Sequence, residues 1–289
     1  FKVREVCEVM PITVAPRMAA GVKGLVSLRV DTARFDQILN LSGEIGMTRN
    51  RLNCLQVSLA KGEGGAEVRK LLEKSLSELD TLVSDLQAAV MKARMQPVGR
   101  VFQKYVRLAR DLARNLGKEV DLVLEGEDTE IDKTILEELN DPLVHLVRNA
   151  LDHGTEDPAR RAAAGKGPRA EVKLSARQSG DQILIEIADD GAGMRPEVIR
   201  QKAVEKGLIT QAEAGTLDDR QSLNLVLLPG FSTKTEISDI SGRGVGMDVV
   251  ATNIRRLKGR IDIHSVPGRG TRFVITQPLT LAILPVLML

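Results

Sequence analysis

The sequence predicts an α+β chain, an antiparallel helical hairpin followed by an α/β sandwich, and two observations carry that prediction. Between residues 31 and 92 apolar residues recur at alternating steps of three and four, interrupted once by Lys61-Gly62-Glu63-Gly64-Gly65. Beyond Gly117 the pattern changes to short alternating stretches joined by tight turns, with helical stretches between them. Steps of three and four line one face of a helix, whereas alternation lines one face of a strand. With 289 residues, 43% hydrophobic and 28% charged, the chain has material for a folded core.

In the first run Ile38, Ile45, Leu52 and Leu59 repeat at sevens, with Leu41, Thr48 and Leu55 between them. In the second, Leu72, Leu79 and Leu86 repeat at sevens, with Leu76, Val83 and Val90 four residues after each. Two such helices joined by a glycine-rich turn form a hairpin. Its seam is more than one hairpin can bury. Either a second copy completes a four-helix bundle, or the hairpin docks on its own globular part. Residues 1–30, broken by Pro11, Pro16, Gly21 and Gly24, read as a linker or the end of a preceding region, and the initial Phe1 suggests a longer chain.

Helical spacing resumes past Pro97 through Val98, Val101, Phe102, Tyr105, Leu108, Leu112 and Leu116, as a continuation or a restart. Val120 to Leu124 reads as a strand, and Ile135 to Leu151 as a helix capped by Asp132. Glu171 to Ala176 and Gln182 to Ala188 form a hairpin about Ser179-Gly180-Asp181. Val245 to Leu257 is a helix that starts on glycines. Arg260 to Ser265 and Thr271 to Gln277 form a second hairpin. The expected product is a mostly antiparallel sheet with helices on one face. Pro278 opens an apolar segment that looks like the first strand of a truncated regulatory domain. The expected divisions are 1–30, 31–93 (dimerisation hairpin), 94–277 (sandwich) and 278–289.

A net charge of +2, 2% aromatics and no Trp argue against nucleic-acid binding. Cys7 and Cys54 form neither a metal-spaced cluster nor a disulfide framework, so a reducing compartment is expected. The stretch Leu279 to Leu289 is too short to cross a bilayer, and no signal-peptide pattern opens the sequence. The expected setting is cytoplasmic, without membrane insertion.

Three glycine features carry candidate chemistry: Asp189-Asp190-Gly191-Ala192-Gly193, Gly242-Arg243-Gly244-Val245-Gly246-Met247, and Gly268-Arg269-Gly270-Thr271. Glycine lets backbone approach a ligand, and amides at a helix start favour phosphate. Each feature alone is equally at home in an ordinary turn. A fourth, His145-Leu146-Val147-Arg148-Asn149-Ala150-Leu151-Asp152-His153-Gly154, is more telling. Its spacing places His145, Arg148, Asn149, Asp152 and His153 on one polar stripe. An amide oxygen suits Mg²⁺ shared with phosphates, and the cations suit the remaining phosphate charge.

Together these blocks resemble the Bergerat ATP-binding fold of gyrase, Hsp90, MutL and histidine kinases. Residues 31–289 are more closely similar to the chemotaxis histidine kinases of the CheA family. Asp141 to Gly154 resembles that family's asparagine box and Pro229 to Lys234 its phenylalanine box; Ser241 to Val250 and Pro278 to Ile283 complete the match. The resemblance implies ATP and Mg²⁺, with Asn149 on the metal and Asp189 accepting the adenine amino group. It lays Gly191 and Gly193 against the base, and places Met247 and Thr271 near it. It lines the triphosphate with Gly242, Gly244 and Gly246, next to Arg243 and Val245, and puts Lys234 and Arg148 on phosphate oxygens. Asp152, His153, Lys202, Ser232 and Thr233 complete the implied ATP-binding set. A lid is implied from about Arg195 to Ser241, where composition also suggests mobility.

In the gyrase, Hsp90 and MutL branches a water-activating glutamate lies four residues before the asparagine; here that place is His145, implied to polarise the γ-phosphate or relay a proton. His145, Asn149 and Lys234 are therefore the implied catalytic set. The hairpin from Asp31 to Lys92 has no histidine, and His264 falls in a strand. The resemblance accordingly implies an ATP-dependent protein histidine kinase acting in trans, as a homodimer, on a separate histidine phosphotransfer domain. A response regulator lies downstream, and a chemoreceptor and coupling protein are reached through the regulatory domain. A nucleotide-gated ATPase clamp of the MutL or Hsp90 kind is the alternative, and a scaffold that binds nucleotide poorly is a third.

Overall fold

The computed structural model describes residues 32–62, 65–231 and 246–279. α1 (Thr32–Ala60) and α2 (Ala66–Arg94) pack together as an antiparallel hairpin. On α1 the positions withdrawn from solvent include Ile38, Leu41, Ile45, Thr48, Leu52, Leu55 and Leu59, the expected seam. On α2 the inner seam is Leu72, Ser75, Leu79, Leu82, Leu86 and Ala89. Leu76, Val83 and Val90, expected on that same seam, instead face outward at 47, 39 and 40% exposure. Ser75, Leu82 and Ala89 already fill the alternate inner positions, so α2 carries a second apolar stripe on its outer side.

The helix does not continue through Pro97. Met95–Pro97 is a short strand, β1, paired antiparallel with β3 (Glu130–Asp132) so that Met95 lies opposite Asp132. Proline lacks the N–H a helix needs and pushes its predecessor to extended backbone. α3 (Gly99–Asn115) then restarts, burying Phe102, Tyr105, Ala109 and Ala113 at helical spacing. The hairpin base is tied to this joint by two arginines. Arg34 donates to the Lys92 carbonyl and the Glu130 carboxylate, and Arg94 pairs with Asp132 at 3.2 Å. Asp132 also accepts from the amides of Thr134 and Ile135, capping α4 (Lys133–Asn149) as expected.

The five-stranded sheet contains β2 (Val120–Glu125), β4 (Ala170–Ser179), β5 (Gln182–Asp189), β6 (Arg260–Val266) and β7 (Gly270–Pro278). Their spatial order is β2-β4-β5-β7-β6, with β2 parallel to β4 and the other pairs antiparallel. Val172, Leu174, Ile183, Ile185, Ile187, Phe273 and Ile275 form one core with Phe102, Leu143, Leu146 and Val147, and with Val250 and Ile254 of α9 (Met247–Arg256). Burying each such side chain stabilises the fold by about 1.5–3 kcal/mol. Intervening strand positions carry Lys173, Glu186 and Arg272, which fits a sheet covered on one face.

The remaining helices are α5 (Pro158–Ala163), α6 (Pro196–Glu205), α7 (Gln211–Thr216) and α8 (Asp219–Asn224), followed by a 3-10 turn, Leu225–Leu227. Expected as part of a mobile lid, residues 196–227 are instead a packed helical layer. Ile199, Ala203, Leu223, Leu225 and Leu227 join the core, and capping boxes at Thr210/Glu213 and Asp218/Gln221 start α7 and α8. The rest of the expected lid from Ser232, the N-terminal linker and the apolar tail from residue 280 lie outside the described residues.

Candidate functional site

The candidate site forms where the last turn of α4, the C-terminal end of β5 and the start of α9 meet. β5 delivers Asp189 to the end of the sheet, opposite Thr271, the second residue of β7. The Asp189 carboxyl group is buried. Its Oδ1 accepts from the amides of Gly191 at 3.0 Å and Thr271 at 3.3 Å, while no donor among the described residues reaches Oδ2. Burial raises its pKa to about 6, against the opposing pull of those two N–H groups. The result is an anchored carboxylate with one oxygen open to an incoming N–H.

Backbone closes around it. A Cβ on Gly154 would lie 2.7 Å from Asp189 Oδ2, and one on Gly191 would lie 1.8 Å from the Gly154 carbonyl. Gly193 adopts φ +66, and a Cβ there would meet the Val266 carbonyl at 2.2 Å. Only glycine fits a turn pressed this closely between α4 and the β6–β7 turn.

α4 is α-helical to Asn149, with Pro142 in its interior, then widens into a π turn over Ala150–Gly154, closed by Thr155 N–H donating to the Ala150 carbonyl at 2.8 Å. Such turns are rare and frequent at functional sites. The Lys118 ammonium stabilises this one, donating to the carbonyls of Leu151 (2.7 Å), Asp152 (3.0 Å) and Thr155 (2.8 Å). The wider turn breaks the expected stripe: His145, Arg148, Asn149 and Asp152 are half-buried, whereas His153 is exposed.

The Asn149 amide nitrogen donates to the Met247 sulfur at 3.2 Å, and no donor among the described residues reaches its Oδ1. That orientation leaves a neutral oxygen of the kind Mg²⁺ takes when phosphates supply its other ligands. One turn earlier, burial and then the Arg148 charge push the His145 imidazole below its ordinary pKa, with Asp248 pulling the other way. The downward shift favours the neutral imidazole. Arg148 Nε is buried without a partner. At α9 the N-cap Gly246 contributes no side-chain cap, so the first helix amides keep their capacity for an anion. The polar face of α4 continues away from this cluster into a cleft of about 360 Å³ lined by Thr134, Glu137, Glu138 and Asp141 of α4 and by Asn253 and Arg256 of α9, where three carboxylates outnumber one guanidinium.

Comparison with known proteins decides the family. Residues 138–281 match the family of histidine kinase-, DNA gyrase B- and HSP90-like ATPases, and residues 26–93 match the homodimeric domain of signal-transducing histidine kinases. The sensor histidine kinase CheAY of Helicobacter pylori is 46% identical across 91% of this chain and 33% of its own length. The CheA proteins of Rhizobium meliloti and Halobacterium salinarum are 46% and 44% identical across 89% and 90% of this chain. This chain belongs to the CheA family of histidine kinases. It spans about a third of the length of those relatives, 33% for the first two and 38% for the third.

Within this CheA-family chain, the structure brings Asn149 and Met247 together, and Asp189, Gly191 and Thr271 together. Lys202 lies on the exposed side of α6, in the helical layer. Ser232, Thr233, Lys234, Gly242, Arg243, Gly244 and Val245 lie outside the described residues. Sequence reasoning missed Lys118, and it missed Ser265, whose hydroxyl lies 3.0 Å from that of Thr271 and accepts from Met194 N–H at 2.7 Å. The Lys118 bonds and the Met194–Ser265 bond span long sequence separations, and no local pattern marks them.

Proposed function

We propose that this chain is the dimeric ATP-binding core of a protein histidine kinase, which transfers the γ-phosphoryl group of ATP to a histidine on a separate phosphotransfer domain. One observation carries the reading: the π turn runs between two side chains that each keep an acceptor oxygen without a donor among the described residues. Asn149 at its start offers a free amide oxygen, and Gly154 at its end lies against the free oxygen of Asp189. A pocket with a metal-type ligand at one end and a buried acceptor at the other suits a metal-bridged nucleotide with an amino-bearing base.

Asp189 orients the base, the backbone of Gly191 and Gly193 admits it closely, and Arg148 and Lys234 draw the phosphates. Neutral His145 accepts a proton or holds a hydrogen bond near the transferred group. Asn149 would hold Mg²⁺, which when bound neutralises charge on the phosphoryl group. Signalling to a response regulator, control by a chemoreceptor and coupling protein, and a cytoplasmic location complete the proposal. No helix among the described residues is long and apolar enough to cross a membrane.

The test is label transfer from γ-labelled ATP and Mg²⁺ to an added phosphotransfer domain from the same organism. Label should appear on a histidine of that domain and disappear when the histidine is replaced. Equal ATP hydrolysis with and without acceptor, and no labelled acceptor, would favour the ATPase clamp instead. The outer stripe on α2 gives a second prediction. Leu76→Glu combined with Val83→Glu should convert a dimer to a monomer in sedimentation equilibrium, because two apolar contacts of about 1.5–3 kcal/mol each are replaced by charges. An unchanged dimer would show that the subunits meet elsewhere.

A further inference from the structure

Directly behind Asp189, the dipeptide Asp190-Gly191 is gripped by two cations from the segment between the π turn and β4. Arg161 on α5 has a side chain only 2% exposed. Its guanidinium takes both Asp190 oxygens, at 3.0 and 2.7 Å, and also Glu156 at 3.2 Å. Its remaining donors go to the carbonyls of Gly167 (2.9 Å) and Arg169 (3.0 Å). The Lys166 ammonium donates to the carbonyls of Asp190 (2.8 Å) and Gly191 (2.7 Å) and to Glu156 at 2.7 Å. Asp190 is further fixed to β4 by reciprocal backbone and side-chain bonds with Glu171, at 3.2 and 3.1 Å.

Burying a guanidinium is costly unless its partners are well placed. Here they converge on the two residues after Asp189, and Gly191 supplies one of the two amides that hold Asp189 Oδ1. A chain of bonds therefore runs from Lys166 and Arg161 through Gly191 to the orientation of the one free carboxylate oxygen. We infer that Arg161 and Lys166 are positioning residues that set base selectivity, keeping Asp189 Oδ2 aimed at the amino group of a 6-aminopurine. The inference rests on the reading of Asp189 as the base acceptor.

The experiment compares binding of ATP and of inosine triphosphate, whose 6-oxo group offers no donor to Asp189, in the wild type and in Lys166→Met. Misaiming a group by a fraction of an ångström carries large costs, so ATP binding should weaken about tenfold. Inosine triphosphate, which has no 6-amino group to present to Asp189 Oδ2, should change less than about threefold. In an Asp189→Asn background Lys166→Met should add little, because coupled residues are non-additive, and Lys166→Arg should restore part of the discrimination. Should Lys166→Met fail to fold, the isosteric Glu156→Gln, which frees the ammonium from its carboxylate anchor, carries the same expectation with a smaller loss. Equal weakening of both nucleotides, or no change in a folded variant, would overturn the inference and leave the network a fastening of the fold. A wild type that binds neither nucleotide would instead overturn the nucleotide-site reading itself.

Discussion

Asp189→Asn is expected to give a protein that is more stable at neutral pH and has lost ATP. The carboxyl pKa rises from 3.8 to about 6 because the charged form is buried, so at pH 7 the fold carries a disfavoured charge. That gap corresponds to about 3 kcal/mol, an upper figure for what the amide recovers. The native state binds this proton more tightly than the unfolded state does, so this group adds stability as pH falls through 6. The gain is complete below about 3.8, and it reverses on raising the pH. Urea unfolding of both proteins at pH 5 and pH 7.5 checks this: the variant should gain most at the higher pH. An equal difference at both would remove the burial argument. Function moves the other way. The amide keeps an acceptor for Gly191 and Thr271 but presents a donor where Oδ2 stood, facing the donor on adenine. A buried mismatch of that kind costs about 100-fold or more in affinity. Wild-type ATP affinity should likewise fall as pH drops through 6, because a proton on Oδ2 makes the same mismatch, and the variant should show no such dependence.

Asn149→Ala carries the second large effect. The amide has one fixed end, on the Met247 sulfur, and one free end, Oδ1. Removing it should lower phosphoryl transfer by about 10²–10³-fold, the scale of losing a preorganised group that meets charge in the transition state. Binding should separate metal from base. Wild-type affinity for ATP should fall when Mg²⁺ is chelated, whereas the variant should bind equally with or without the metal, at about the wild-type level without it. A variant that still responds to Mg²⁺ would place the ion on other residues. His145→Ala makes the contrast, since its neutral imidazole should affect transfer and leave metal-dependent affinity nearly unchanged.

Much of this architecture could be read from the residues. Seven-residue spacing gave α1 directly, and alternation gave β4, β5, β6 and β7, because a half-buried helix or strand must show its period. The cap at Asp132 and the asparagine of α4 were legible for the same local reason. The outer stripe of α2 was not separated from the inner one, since Leu72 and Leu76 lie one turn apart and only packing decides which goes inside. Residues 196–227 were read as mobile because helices of six to ten residues show too few turns to reveal a period. Their burial depends on a core assembled from distant strands. The π turn left no signature either, as the extra residue per turn is held by Lys118, more than thirty positions upstream. Nothing local marks a role for Asp190 either. Arg161, 29 residues earlier in sequence, gives it a partner.

Asp132 answers to both halves of the molecule. One carboxylate receives Arg94 from the end of the hairpin and also caps the first turn of α4. Asn149 is sixteen residues along that same rod, about 24 Å at 1.5 Å per residue. A rotation or tilt at the hairpin base would thus meet α4 at its root, and the helix would carry a small angular displacement there to a larger linear one at its tip. The hairpin and the candidate pocket are in this respect the two ends of one lever, joined at its root by Asp132 together with the Arg34 bonds and the β1–β3 pairing.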